Sequence, residues 1–138
     1  MYNMNKPFII SFFFALVTFI VLGGLFGNFV FLPEFATWHE AYPDAVRETP
    51  DFVSGFILGL LQLIAFVVLL PKLQINSGSG AAVFGAVYSV VIWLIVDLQM
   101  VSVTNIVSYE YVLKDALLSA VMGAILGVVV SWSQRRFA

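Results

Sequence analysis

Residues 52–70 read FVSGFILGLLQLIAFVVLL, nineteen positions without a charge and with a single amide, Gln62. As a helix rising about 1.5 Å per residue this stretch is roughly 28 Å long, close to the ~30 Å hydrocarbon core of a bilayer. A surface helix in water would carry a polar face. This one has none, so lipid is the solvent that suits it. Three more blocks share the same character, at 7–32, 81–103 and 111–132. The composition agrees, with 62% apolar and 10% charged residues, against about 45–50% apolar in an ordinary soluble domain. The fold class this predicts is all-α, a bundle of four transmembrane helices forming one domain over 1–138.

The charges sort by side. Lys6 precedes the first block, Lys72 lies between the second and third, and Arg135 and Arg136 follow the fourth. With four crossings these positions share one face. The other face receives Glu34, Glu40, Asp44, Arg47, Glu48 and Asp51 from one connection, and Glu110, Lys114 and Asp115 from the other. Basic residues concentrate on the cytoplasmic side of membrane proteins, so both termini are expected in the cytoplasm and the protein in the cell's inner (plasma) membrane. The first block is longer than the ~7–15 residue apolar core of a signal peptide, and no Ala-x-Ala site follows it. It reads as a retained span.

Prolines punctuate the blocks. Pro7 starts the first and Pro33 ends it; Pro50 precedes the second and Pro71 ends it. None interrupts a span, as unkinked helices require. Asn76-Ser77-Gly78-Ser79-Gly80 is a turn, and the short link at 104–110 makes a tight hairpin of the last two spans. The sizeable loop, 33–51, carries Phe35, Trp38 and Tyr42, side chains that anchor at a membrane interface.

Small residues recur every four positions. Gly23 and Gly27 mark the first span, Gly55 and Gly59 the second, and Ala81, Gly85 and Ser89 the third. The fourth carries an unbroken set, Ser119, Gly123, Gly127 and Ser131. Lipid supplies no hydrophobic drive between helices, so close backbone approach through such grooves is a main source of association. The ridge reads as a helix-packing interface, inside the bundle or against a second chain.

Asp97 is the charge placed well inside a span, about one or two turns below the outer surface. A carboxylate at that depth is costly unless it faces the bundle interior, a water-filled space or a partner. Thr104 and Ser108 lie on its helical stripe with Asn105 at the edge, and Trp93 sits one turn below. Gln62 and Asn28 are the other intramembrane polar residues, read as interhelical hydrogen-bonding groups. A structural role for Asp97 is preferred over a transport role, because no second intramembrane charge is available to make a relay.

Other chemistries lack their residues. There is no cysteine, which removes disulfides, thiolate metal sites and iron–sulfur clusters. One histidine, His39, beside Glu34, Glu40 and Asp44 is too little for zinc or haem, and no nucleophile elbow is present. No metal, no cofactor and no catalytic set is expected, and no basic cluster fits nucleic acid. The first span lacks the embedded glutamate of small multidrug transporters. Pro50-Asp51-Phe52, Ile57-Leu58-Gly59, Asp97-Leu98-x-Met100, Asn105, Asp115 and the Gly123/Gly127 ridge together resemble a group of small four-helix bacterial integral membrane proteins with no assigned activity. That resemblance implies the four-helix architecture and draws attention to Asp97, Asn105 and Asp115. The function expected from the residues is non-catalytic: an integral membrane protein acting through helix packing, as a homo-oligomer or an accessory subunit of a larger membrane complex. The alternative is a small oligomeric channel or proton-coupled carrier with Asp97 as its titrating site.

Overall fold

The computed structural model describes residues 5–137, and the regular structure among them is entirely helical. Helix α1 (Asn5–Phe26) runs through a π-helical segment, Gly27–Phe31, into α2 (Leu32–Ala41). Then follow α3 (Phe52–Lys72), α4 (Gly78–Val103) and α5 (Tyr109–Phe137). Four rods result, Lys6–Ala41, α3, α4 and α5, of 36, 21, 26 and 29 residues, each long and apolar enough to cross a membrane.

The first rod does not stop at Pro33, so the loop expected over 33–51 shortens to 42–51. The π-helical segment explains how the helix passes a proline. The Leu32 N–H bonds to the Gly27 carbonyl, five residues back. Widening the turn leaves room for a ring that has no N–H and that would collide with a carbonyl of the preceding turn. The other rods also exceed the apolar blocks that mark them. α4 starts at Gly78 because Ser77 caps it, its hydroxyl accepting from the Gly80 N–H at 3.0 Å. α3 ends just past Pro71, where Gln74 takes a left-handed φ of 55°.

Asp51 starts α3. Its carboxylate accepts from the N–H groups of Val53 and Ser54 at 3.1 and 3.2 Å and from the Ser54 hydroxyl at 2.9 Å. The Ser54 hydroxyl, then its amide, hold this carboxyl below its ordinary range. The folded state therefore binds this proton less tightly than the unfolded chain, and stability from the cap is present above about pH 3.9 and lost as pH falls below it. Asp51→Ala should lower the melting temperature slightly at neutral pH, and the difference from the wild type should shrink as pH falls below about 3.9, as a thermal-shift titration would measure.

The bundle is organised around α5, which packs along α4 on one side and against α1 on the other, while α1 also touches α3. Its interior is small and polar. Buried positions include Ser11, Ala15, Gly59, Ala81, Gly85, Ser119, Gly123, Gly127, Ser131 and Ser133, beside Leu63, Phe66, Val67, Leu70, Leu126 and Val130. The exterior is large and apolar. Val83, Val87, Val91 and Ile95 form one exposed stripe of α4, and Leu113, Leu117 and Val121 one of α5. Phe29 is 79% exposed. Such an outside is stable in hydrocarbon and not in water.

The two ends of the bundle differ in charge. At one end the Ser133 hydroxyl donates to Ser11 at 2.9 Å and the Arg135 guanidinium to the Asn76 carbonyl at 3.4 Å. These bonds gather α1's start, the α3–α4 turn and α5's end, together with Lys6, Lys72, Arg135 and Arg136. At the other end the Tyr42 hydroxyl donates to the Asn105 carbonyl at 3.1 Å.

Candidate functional site

The α4–α5 hairpin brings the site together. The backbones touch through glycine. A Cβ built on Gly85 would fall on the Gly123 carbonyl, one on Gly123 on the Gly85 carbonyl, and one on Gly127 on the Ala81 carbonyl. The register therefore sets Ala81 beside Gly127 and Gly85 beside Gly123. Carried up the helices four residues at a time, it places Ser89 level with Ser119, Trp93 with Asp115, and Asp97 with Tyr111.

Asp115 is thus an interior residue of the hairpin. The sequence counted its charge with Glu110 and Lys114 in the outer connection, although the 111–132 block contains it. α5 begins at Tyr109, so Asp115 lies about 9 Å inside its helix, and Asp97 lies as far from the end of α4 at the same turn. Both are buried, Asp97 at 6% and Asp115 at 4% exposure. Their carboxyl groups are close neighbours, and Ser119 stands one turn further along α5 on the same buried face as Asp115. The Asp97 Oδ2 atom is buried and finds no hydrogen-bond partner among the described residues. Nor is the pair neutralised by a protein cation. Lys114 is committed to Glu34 of α2, the ion pair found among the described residues.

Aromatic rings stand at the level of the pair, toward the hairpin turn. Tyr111 packs edge-on against Trp38 of α2, with centroids 4.7 Å apart, and against Phe31 of the π-helical segment at 6.5 Å. The passage of the first rod through Pro33 is what brings α2 here. Further from the turn lies a cavity of about 40 Å³ between α1, α3, α4 and α5, bordered by Gln62, Tyr88, Ser89, Trp93 and Ser119 and by apolar side chains that include Phe19, Phe66 and Met122.

The remaining singled-out residues fall elsewhere. Asn28, read as an interhelical group, donates to its own helix at the Gly24 carbonyl, 2.7 Å away. Thr104 caps α4, its hydroxyl donating to the Met100 carbonyl at 2.8 Å, and Asn105 is exposed in the turn. Neither continues the Asp97 stripe, because α4 ends at Val103. At position 62 the interhelical bond uses the backbone, Tyr88 donating to the Gln62 carbonyl at 3.2 Å. His39 meets the Val46 carbonyl at 2.7 Å. Gly59 faces the Phe19 ring, 2.6 Å from where a Cβ would stand, and Ser119 and Ser131 are buried with Gly123 and Gly127. Gly23, Gly27 and Gly55 meet nothing within 4 Å, so they pack no helix of this chain. The reading of the sequence missed Tyr88, Tyr111 and the buried Ser11–Ser133 pair. No known protein family, no curated protein and no solved structure matches this chain.

Proposed function

We propose that this chain is an integral membrane protein that reversibly binds a proton at the Asp97–Asp115 carboxyl pair and uses it in proton-coupled transport. The observation that supports this is the pair itself: two buried carboxyl groups side by side, one oxygen unpartnered, and no ion pair to either of them among the described residues, Lys114 being paired with Glu34. Two adjacent carboxylates in a low-dielectric layer cannot both remain bare anions. A shared proton resolves the conflict at least cost. A divalent metal fits poorly, since it wants three or more protein oxygens or nitrogens, and no cluster of three such side chains exists among the described residues. Intramembrane carboxyl groups that face a bundle interior commonly serve proton relays. Infrared spectroscopy tests the reading. A carboxylic-acid C=O band should be present at neutral pH and vanish in Asp97→Asn/Asp115→Asn. No such band in the wild type would sink the proposal. Glu34 on α2 and Lys114 on α5 carry charge at this end of the hairpin, paired with each other.

A second reading is favoured by a different observation. Gly23, Gly24, Gly27 and Gly55 leave open surface on α1 and α3, which suits packing against another copy or a larger membrane complex, with the chain as an accessory subunit. Retention of a stable partner through native purification supports it.

The orientation we propose is both termini in the cytoplasm of a cell's inner membrane, because Lys6, Lys72, Arg135 and Arg136 share one end. A reporter fused after Ala138, which like residues 1–4 lies outside the described residues, should be cytoplasmic. One inserted at Asp44 should be external. Both reporters on one side would contradict four crossings.

A further inference from the structure

One turn below the carboxyl pair, the cavity has the size of a site for water, and polar groups interrupt a mostly apolar lining. Its 40 Å³ compares with about 10–15 Å³ needed for one water centre, so two or three waters fit. A buried water needs two to four polar partners. Five of the bordering side chains carry a polar group, Gln62, Tyr88, Ser89, Trp93 and Ser119, drawn from α3, α4 and α5. Ser119 belongs to both places. It borders the cavity and stands one helical turn from Asp115 on the same buried face of α5. Trp93 stands one turn below Asp97 on the same stripe. Toward the hairpin turn stand Tyr111, Trp38 and Phe31.

We propose that this cavity is a hydrated vestibule, a bound cluster of two or three waters that delivers protons to the carboxyl pair through the Ser119 hydroxyl. The inference rests on the proton site proposed above and adds its route. In the transfer, a cavity water carrying an excess proton gives it to the Ser119 oxygen. The hydroxyl passes its own hydrogen to an Asp115 carboxylate oxygen, one O–H bond forming as another breaks. The hydroxyl is regenerated and the water returns to neutral. The five polar groups are what keep the waters there.

The test is the rate at which the carboxylic-acid band of the reconstituted, full-length protein shifts after transfer into D₂O. Gln62→Leu/Tyr88→Phe removes two polar groups at nearly constant volume and leaves both aspartates untouched. Exchange should slow by about tenfold or more, which is about 1.4 kcal/mol and comparable to one lost hydrogen bond. Leu126→Phe, which fills the cavity from its apolar side, should slow it as well. Tyr88→Phe alone keeps the shape and serves if the double variant does not fold. Exchange at the wild-type rate in the folded variants would overturn the vestibule and leave the proton site standing. Absence of the band in the wild type overturns both.

Discussion

Proteoliposomes carrying Asp97→Asn should retain the fold and lose proton flux by about 100-fold or more, the scale on which a positioned acid–base group contributes. Asparagine keeps the size of the side chain and its capacity to bond Asp115, but it holds no exchangeable acid proton. Asp115→Asn should behave the same way. Because the two carboxyl groups act as one unit, the double variant should lose little more than either single one; independent sites would multiply instead. Asp97→Leu should differ in kind. It strands the Asp115 carboxyl in the interior without its neighbour, and stability should fall by about 1–3 kcal/mol. Flux under an imposed pH gradient, read with an interior dye, and a melting curve for each variant separate these outcomes. Wild-type flux in Asp97→Asn would end the transport reading. The pair would then be structural, and the accessory-subunit reading would stand alone.

The contrast between this site and the one visible in the sequence has a physical origin. The four spans were legible because lipid demands long uncharged runs, and 52–70 is such a run. The small-residue stripe 119–123–127–131 was legible because helix contact in lipid demands it. The same stripe, stepped back by four, lands on Asp115, and 81–85–89–93 stepped forward lands on Asp97. Both carboxyl groups are the fifth members of the two stripes that face each other. Asp115 fell inside the 111–132 block, but its charge was counted with those of Glu110 and Lys114 as belonging to the outer connection, so its pairing with Asp97 was not read; α5 begins at Tyr109, and Lys114 pairs with Glu34 of α2 while Asp115 is buried. Conversely, Thr104 and Ser108 sit on the Asp97 stripe in a helix that stops before reaching them. The extension of the first rod past Pro33 was hidden too, because a proline normally marks a helix end and nothing in the residues announces a π-helical turn. Without that extension, Trp38 and Glu34 would not lie over the pair.

Gly123→Leu should be the most damaging single change to the fold. A side chain at 123 has no direction to go, since its first carbon would already overlap the Gly85 carbonyl and crowd the Ser89 hydroxyl. Gly123→Ala should therefore destabilise by about 1–3 kcal/mol, the range for overpacking a filled interior, and Leu by more, seen as lost folded yield in detergent. Gly85 and Gly127 should respond alike, as each meets backbone rather than a side chain that can move aside. Gly59 should be milder, because it meets the edge of the Phe19 ring, which can rotate. Gly23→Leu and Gly27→Leu are the controls. They meet open space, and a substitution there should stay within about 0.5 kcal/mol, while any loss of self-association would locate a contact between copies on α1. The effect on the site follows from the same geometry. The glycine contacts set the separation of α4 and α5, and that separation holds the two carboxyl groups within reach of each other. A Gly123→Ala protein that still folds should lose flux with both aspartates intact. Wild-type folding and wild-type flux in Gly123→Leu would mean that α4 and α5 do not meet in this register.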